Sequence, residues 1–284
     1  MNISGRTQVV GIIGDPVAHS FSPAMHNAAF RALKLDFVYA AFPVRPMGLR
    51  AALAGIRALG IAGVNVTVPH KERVIAFLDS VSDMGRRVGA VNTVVNRGGH
   101  LHGENTDVVG FLRALRDVKF RLRGARVLVV GAGGVARAVL MALADGAAAS
   151  VIVANRTPRR AQQLAAAVDT KRLRVTVSTL AVLQEPDVLA PLDLVVNATS
   201  LGLHGEKFPP LAYLASQPRC LFFDLIYGGH TDFQAGALHA GRPTLDGSSM
   251  LLHQGAAAFT LWTGRRAPLT VMRATLCRSK PREN

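Results

Sequence analysis

Residues 125–147, ARVLVVGAGGVARAVLMALADGA, leave this chain few folds to choose from. The apolar run Val127 to Val130 reads as a strand buried on both faces. Gly131, Gly133 and Ala136 then form a G-x-G-x-x-A turn, and a long apolar helix follows. Strand, glycine turn and helix in that order open a dinucleotide-binding βαβ unit. Gly131 permits the tight turn, Gly133 lets a pyrophosphate approach the backbone, and the small Ala136 packs helix on sheet. Ala132, Gly134 and Val135 complete the loop, at a helix N-terminus that attracts negative charge. SVIVANR supplies a second strand and TPRRAQQLAAAV the next helix. RVTVS, LDLVVNAT and RCLFFDLIY read as further strands. This rhythm predicts a Rossmann-type, doubly wound sheet over residues 108–245.

The end of the second strand bears on the cofactor. An NAD site places Asp or Glu about 20 residues beyond the glycine turn, on the ribose 2′-hydroxyl. Here the strand ends in Asn155-Arg156-Thr157, with Arg159 and Arg160 beyond and no carboxylate. Taken alone, any one of these arginines has a lesser reading as a solvated side chain. Together with the missing acid they favour NADP, because guanidinium groups offer paired donors to a 2′-phosphate.

Ahead of this unit, residues 1–107 alternate strand and helix and predict a separate α/β domain. VVGIIG and FVYAAFPV read as strands. SPAMHNAAFRALKL reads as a helix with Ser22 as N-cap and Pro23 at its first position. MGLRAALAGIRALG reads as a helix ended by Gly60, and AVNTVVNRGGHLHGENTD as a hairpin turning at Gly98-Gly99. In GVNVTVPHKE the valines alternate with Asn65 and Thr67 until Pro69 stops the strand. HKERVIAFL then has helical spacing, which puts Lys71 in a first turn, where the helix dipole disfavours a cation and pulls its pKa down while a nearby aspartate pulls it up.

Three polar clusters end strands or open helices in this region: Ser20 with Ser22, Thr67 with Lys71, and Asn92 with Asp107. Singly, Ser22 and Asp107 read as helix caps and Lys71 as a surface side chain. Together, paired hydroxyls at a helix N-terminus suit a carboxylate, and a lysine beside an aspartate suits proton exchange. The tail, SSMLLHQGAAAFTLWTG and LTVMRATL, reads as two helices with no place in the second sheet. We expect residues 246–284 to return to the first domain, and the two domains to share a cleft.

Composition narrows the partners. A chain of 284 residues suits two domains, and its net charge of +15 raises nucleic acid as a ligand. The excess is diffuse: 11 basic against 7 acidic residues in 1–107, 16 against 9 in 108–245, and 6 against 2 beyond. With no nucleic-acid motif, it fits better an anionic small molecule steered by positive potential. Cys220 and Cys277 are too far apart to suggest a metal site or disulfide framework, and the histidines show no metal-ligand spacing. The start, MNISGRTQVVGIIGD, has no apolar run of signal-peptide length, and no window is uninterrupted enough to span a membrane. The expectation is a cytoplasmic protein with a small-molecule substrate, no metal, no nucleic acid and no membrane.

Nearly the whole chain resembles the shikimate dehydrogenase family. The likeness rests on GDPVAHSFSPAMHNAAF, GVNVTVPHKE, GAVNTVV, GENTDVVGF, GAGGVARA, NRTPRRA, NATSLGL, FFDLIY and MLLHQGAAAF, in that order. It implies reversible, NADPH-dependent reduction of 3-dehydroshikimate to shikimate in aromatic amino-acid biosynthesis, by a monomer or homodimer. By the same resemblance Ser20 and Ser22 bind the substrate carboxylate, helped by Tyr227 from the other domain. Thr67, Asn92 and Gln254 bind its polar groups, and Lys71 with Asp107 forms the catalytic pair. Asn155, Arg156, Thr157 and Arg160 belong to the implied cofactor site, with Asn197, Ala198, Thr199 and Ser200 near the nicotinamide ribose. Leu225 and Gly247 complete it. Two stretches depart from the family pattern: GGHTDFQ after Tyr227 lacks the usual proline, and Gly247-Ser248-Ser249 stands where Gly-Leu-Gly is common. The alternatives are a quinate/shikimate dehydrogenase or related paralogue and, further off, a catalytically weak dinucleotide-binding sensor.

Overall fold

Runs of Val, Ile and Leu build two six-stranded sheets, one in each of two units: residues 1–110 with 251–284, and residues 111–250. The structure, a computed structural model, describes residues 3–167, 173–203, 205–229 and 231–279. The unit boundaries fall inside two helices, one spanning Asp107–Asp117 and one spanning Ser248–Thr263.

The first unit runs β1 (Gln8–Gly14), α1 (Ser22–Ala32), β2 (Phe37–Pro43), α2 (Leu49–Ala58), β3 (Gly63–Val66), β4 (Ser80–Val81), α3 (Asp83–Val88), β5 (Thr93–Arg97), β6 (His100–Glu104) and α4 (Asp107–Asp117). The sheet order is β2-β1-β3-β5-β6-β4. β1 is parallel to β2 and β3, while β5 is antiparallel to both β3 and β6. Side chains alternate along β3: Val64 and Val66 enter a core with Ile13, Leu53, Val94 and Leu101, and Asn65 takes the opposite face. This topology has a consequence for function. The ends of β1, β3 and β6 and the start of β5 meet along one edge of the sheet.

The second unit runs β7 (Arg126–Val130), α5 (Gly134–Asp145), β8 (Ser150–Ala154), α6 (Pro158–Ala166), β9 (Arg174–Ser178), α7 (Pro186–Leu189), β10 (Leu194–Asn197), β11 (Leu221–Asp224), α8 (Asp232–His239) and β12 (Thr244–Leu245). Its order, β12-β11-β10-β7-β8-β9, is all parallel and reverses direction between β7 and β10. That is the doubly wound Rossmann arrangement, with its ligand crevice at the carboxyl ends of the two strands flanking the reversal. Val127, Leu128, Val129 and Val130 are all buried, as a central parallel strand requires. Val168, the expected last residue of α6, lies outside the described residues.

Two further helices follow, α9 (Ser248–Thr263) and α10 (Leu269–Ser279). α10 packs on α1, and Trp262 of α9 donates from Nε1 to Val94 O at 3.0 Å. A side chain at Gly63 would collide with that indole, so the glycine makes room for the docking. Among the described residues, no helix is long and apolar enough to cross a membrane.

Two local expectations are corrected. Ser22 is the first residue inside α1 rather than its cap, which puts Pro23 second. Phe21 is already helical in φ and ψ, and Ser20 Oγ accepts the Ser22 N–H at 3.2 Å. The helix expected from HKERVIAFL is a 3-10 segment, Arg73–Phe77, preceded by turns. Lys71 therefore lies in a turn, and the α-helix whose dipole was to lower its pKa is absent.

Candidate functional site

The edge shared by β1, β3, β5 and β6 gathers short segments from distant parts of the first unit. Lys71 is anchored through its backbone: Val91 N–H donates to Lys71 O at 2.8 Å, and His70 N–H donates to Thr67 O at 2.9 Å. Asp107 opens α4, where Asn105 Oδ1 accepts the N–H groups of Asp107 (3.1 Å) and Val108 (3.3 Å). A carboxylate in that first turn is favoured by the helix dipole.

These two placements bring Lys71 Nζ to 2.6 Å from Asp107 Oδ2, with side-chain exposures of 15% and 6%. The other carboxylate oxygen, Oδ1, accepts from Asn92 Nδ2 at 2.8 Å. Asn92 is buried; its Nδ2 also lies 3.3 Å from Gln254 Oε1, and its Oδ1 accepts the Thr106 N–H at 2.7 Å. Hydrogen bonds thus join Lys71, Asp107, Asn92 and Gln254 of the expected set. Ser20 and Ser22 are joined to each other. Thr67 is half-buried, donates its N–H to Ile13 O at 3.0 Å, and packs its methyl group against Gly14. Tyr227 belongs to the second unit.

Sequence reading passed over the layer behind this cluster. Tyr39 OH donates to Asn65 Oδ1 at 2.8 Å, and Asn65 Nδ2 reaches Thr93 Oγ1 at 3.1 Å and Asn92 O at 3.2 Å. Thr93 Oγ1 lies 3.2 Å from Thr106 Oγ1. All five residues are buried, and an interior network satisfied in this way holds its members in fixed rotamers. The signal was available in GVNVTV, where Asn65 is the polar residue between two buried valines.

In the second unit the glycine turn sits at the reversal between β7 and β10. Gly131 has φ +111°, and a Cβ there would lie 2.8 Å from Ala198 O. The Asn197–Ser200 segment and the glycine turn are therefore pressed together. Gly133 caps α5 without a side-chain bond, and a Cβ on it would meet nothing within 4 Å. Ala136 is fully buried against the sheet. At the end of β8, Asn155 Nδ2 donates to Thr157 O at 2.9 Å, and Arg156, Arg159 and Arg160 are exposed. Gly247 lies against the backbone of Leu225 and Ile226, where a Cβ would come within 2.2 Å of Leu225 O. The open Gly133 position, the helix N-terminus without a side-chain cap and the exposed arginines fit an anionic dinucleotide carrying a 2′-phosphate.

Both departures from the family pattern form side-chain hydrogen bonds. Thr231 Oγ1 caps α8, Ser248 bonds Asp246 through its N–H and its hydroxyl, and Ser249 Oγ donates to Asp117 Oδ2 at 2.7 Å. His230 of GGHTDFQ lies outside the described residues.

Comparison with known proteins follows the same lines. Family models match residues 12–94 (Shikimate dehydrogenase substrate binding domain), 114–225 (Shikimate / quinate 5-dehydrogenase) and 247–277 (Shikimate 5′-dehydrogenase C-terminal domain). The chain is 47% identical over 275 residues to the shikimate dehydrogenase (NADP(+)) of Moorella thermoacetica, covering 96% of this chain and 93% of that one. The crystal structure of shikimate 5-dehydrogenase from Thermus thermophilus, in complex with NADP(H) and shikimate, matches with TM-score 0.84 and 38% identity, covering 96% and 99%. Quinate dehydrogenase from Corynebacterium glutamicum, in complex with NAD, matches with TM-score 0.86 and 34% identity, again covering 96% and 99%.

Proposed function

The chain belongs to the shikimate dehydrogenase family, and from that premise we propose that it interconverts 3-dehydroshikimate and shikimate with NADP. The observation that carries the reading is the Lys71–Asp107 pair, 2.6 Å apart and backed by Asn92. When bound, the nicotinamide supplies or removes the hydride. The chain's own task is the proton. On reduction, the Lys71 ammonium gives a proton to the carbonyl oxygen as negative charge develops there; on oxidation, the amine takes it back. Asp107 holds Nζ in place and accepts from the reacting hydroxyl, while Asn92 fixes the carboxylate through its other oxygen. Ser20 and Ser22 bind the substrate carboxylate, and Thr67 and Gln254 its remaining hydroxyls. Tyr227 enters this set on resemblance alone.

The 47% identity to a shikimate dehydrogenase (NADP(+)) exceeds the 34% to a quinate dehydrogenase in complex with NAD, and this chain's own cofactor loop sides with the first. Exposed Arg156 and Arg160, with no carboxylate at the end of β8, support NADP. Steady-state assays with each cofactor on shikimate and on quinate test the reading. NADP with shikimate is expected to give the highest kcat/KM, and a preference for NAD or quinate would refute it. Lys71→Ala is expected to lower kcat by about 10²–10⁴ while leaving NADP affinity, read by calorimetry, unchanged. Near-normal turnover in that variant would remove Lys71 from the proton step.

A further inference from the structure

Among the described residues, the proton-transfer scheme leaves one buried carboxylate unused. Asp224, at the end of β11, is fully buried and accepts three hydrogen bonds. Oδ1 receives Asn197 Nδ2 at 3.0 Å and Ile226 N–H at 3.1 Å, and Oδ2 receives the Thr231 hydroxyl. A side chain that only accepts is what these three donors require, and an ionised aspartate is one. Burial pushes the carboxyl above its usual range, against the pull of the donors.

Each donor belongs to a different segment. Asn197 turns its Oδ1 to the N–H (3.1 Å) and hydroxyl (2.7 Å) of Thr199, and Thr199 Oγ1 accepts the Leu201 N–H at 3.1 Å. That chain of bonds shapes the turn pressed against Gly131. Ile226 stands between Leu225 and Tyr227, and its carbonyl accepts the Gly247 N–H at 2.9 Å. Thr231 caps α8. A buried charge stabilises less than apolar packing of the same volume would, so stability alone gives little reason for a carboxylate here. Geometry gives a better one.

We propose that Asp224 is a positioning residue: by binding the segments after β10 and β11 together, it sets their spacing and aligns the nicotinamide end of the cofactor. The proposal rests on the cofactor reading above. Its test separates the two ends of NADP. Adenosine 2′,5′-bisphosphate probes the adenine end alone, and NADP probes both. Asp224→Asn keeps the size and loses the third acceptor position; Thr231→Val removes one donor and keeps the carboxylate.

In Asp224→Asn, bisphosphate affinity should stay within about twofold of wild type. NADP affinity should fall, and kcat should drop about tenfold to a hundredfold, as misplaced reactants do. The primary isotope effect with NADPH deuterated at the transferred position should rise, since hydride transfer becomes slower than release. Amide exchange at Thr199 and Ile226 should quicken in the cofactor-free protein. Thr231→Val should show the same pattern, weaker, and decides the matter if Asp224→Asn does not fold. An unchanged isotope effect and kcat in the variants overturns the proposal, and so does equal loss of both ligands, which would indicate a general folding role. Wild-type protein that does not bind the bisphosphate would overturn the cofactor reading and this proposal with it.

Discussion

Gly131 and Gly133 stand two residues apart in the same turn, and the structure gives them opposite reasons for being glycine. Gly131 has φ +111°, a region that side chains other than hydrogen rarely adopt, and its Cβ would lie 2.8–3.0 Å from Ala198 O, Ala198 C and Thr199 Cγ2. Two of those atoms are backbone and cannot swing away. Strain of about 1–3 kcal/mol from the dihedral and a comparable overpacking cost overlap in part, since one backbone shift relieves both. Gly131→Ala should therefore destabilise the cofactor-free protein by about 2–4 kcal/mol, or roughly 5–15 °C in Tm for a unit of this size. Gly133 has φ −96° and open space where its Cβ would stand. Gly133→Ala should change stability by no more than about 1 kcal/mol, the scale of an N-cap exchange. It should weaken NADP at least tenfold, about 1.4 kcal/mol, because the methyl occupies the space read here as the pyrophosphate's. Thermal unfolding without cofactor and calorimetric titration with NADP separate the two effects. Normal melting of Gly131→Ala would refute the steric argument, and normal NADP binding by Gly133→Ala would refute the placement of the pyrophosphate.

Two further outcomes follow from charge. Replacing Arg156 and Arg160 together by glutamine should weaken NADP tenfold to a hundredfold, on the order of 1.5–3 kcal/mol for lost charge-assisted bonds, and leave NAD affinity unchanged; an equal loss for both cofactors would dissociate these arginines from the 2′-phosphate. His26 is fully buried, and burial lowers its pKa from 6.5 to about 3. A folded-state pKa below the unfolded one contributes stability that is present above about pH 6.5 and lost as pH falls toward 3. Between pH 7 and 5 this group should account for about 2 kcal/mol of lost stability. Denaturant unfolding of His26→Leu at the two pH values should show a decline smaller by that amount, and an identical decline would refute it.

What was legible in the sequence depended on how local its cause was. The glycine turn and the strands around it were readable because a central parallel strand must be apolar on both faces, and Val127 to Val130 comply. The hairpin was readable from Gly98-Gly99, both of which have positive φ. The 3-10 segment after Pro69 was misread because HKERVIAFL has helical spacing, yet only Val74 of Arg73–Phe77 is fully buried. Ile75, Phe77 and Leu78 still pack, half-buried, against the same core as Val74, so the spacing serves packing here without a full α-helix. β4 and β12, of two residues each, are too short to show any period.

The candidate site divides along the same line. Lys71 and Asp107 could be grouped on paper because each is a charged residue just beyond a strand end, in GVNVTVPHKE and GENTD, and the family resemblance paired them. Asp224 could not. In FFDLIY it is one acid at a strand end, and its donors come from residues 27 before it, 7 after it and 2 after it. Those donors are an amide, a hydroxyl and a backbone N–H, which carry no charge pattern for sequence reading to find. A carboxylate buried among neutral donors declares itself only when the fold has brought those donors together. Residues that set the geometry of a site are for that reason harder to read from sequence than residues that carry its charge.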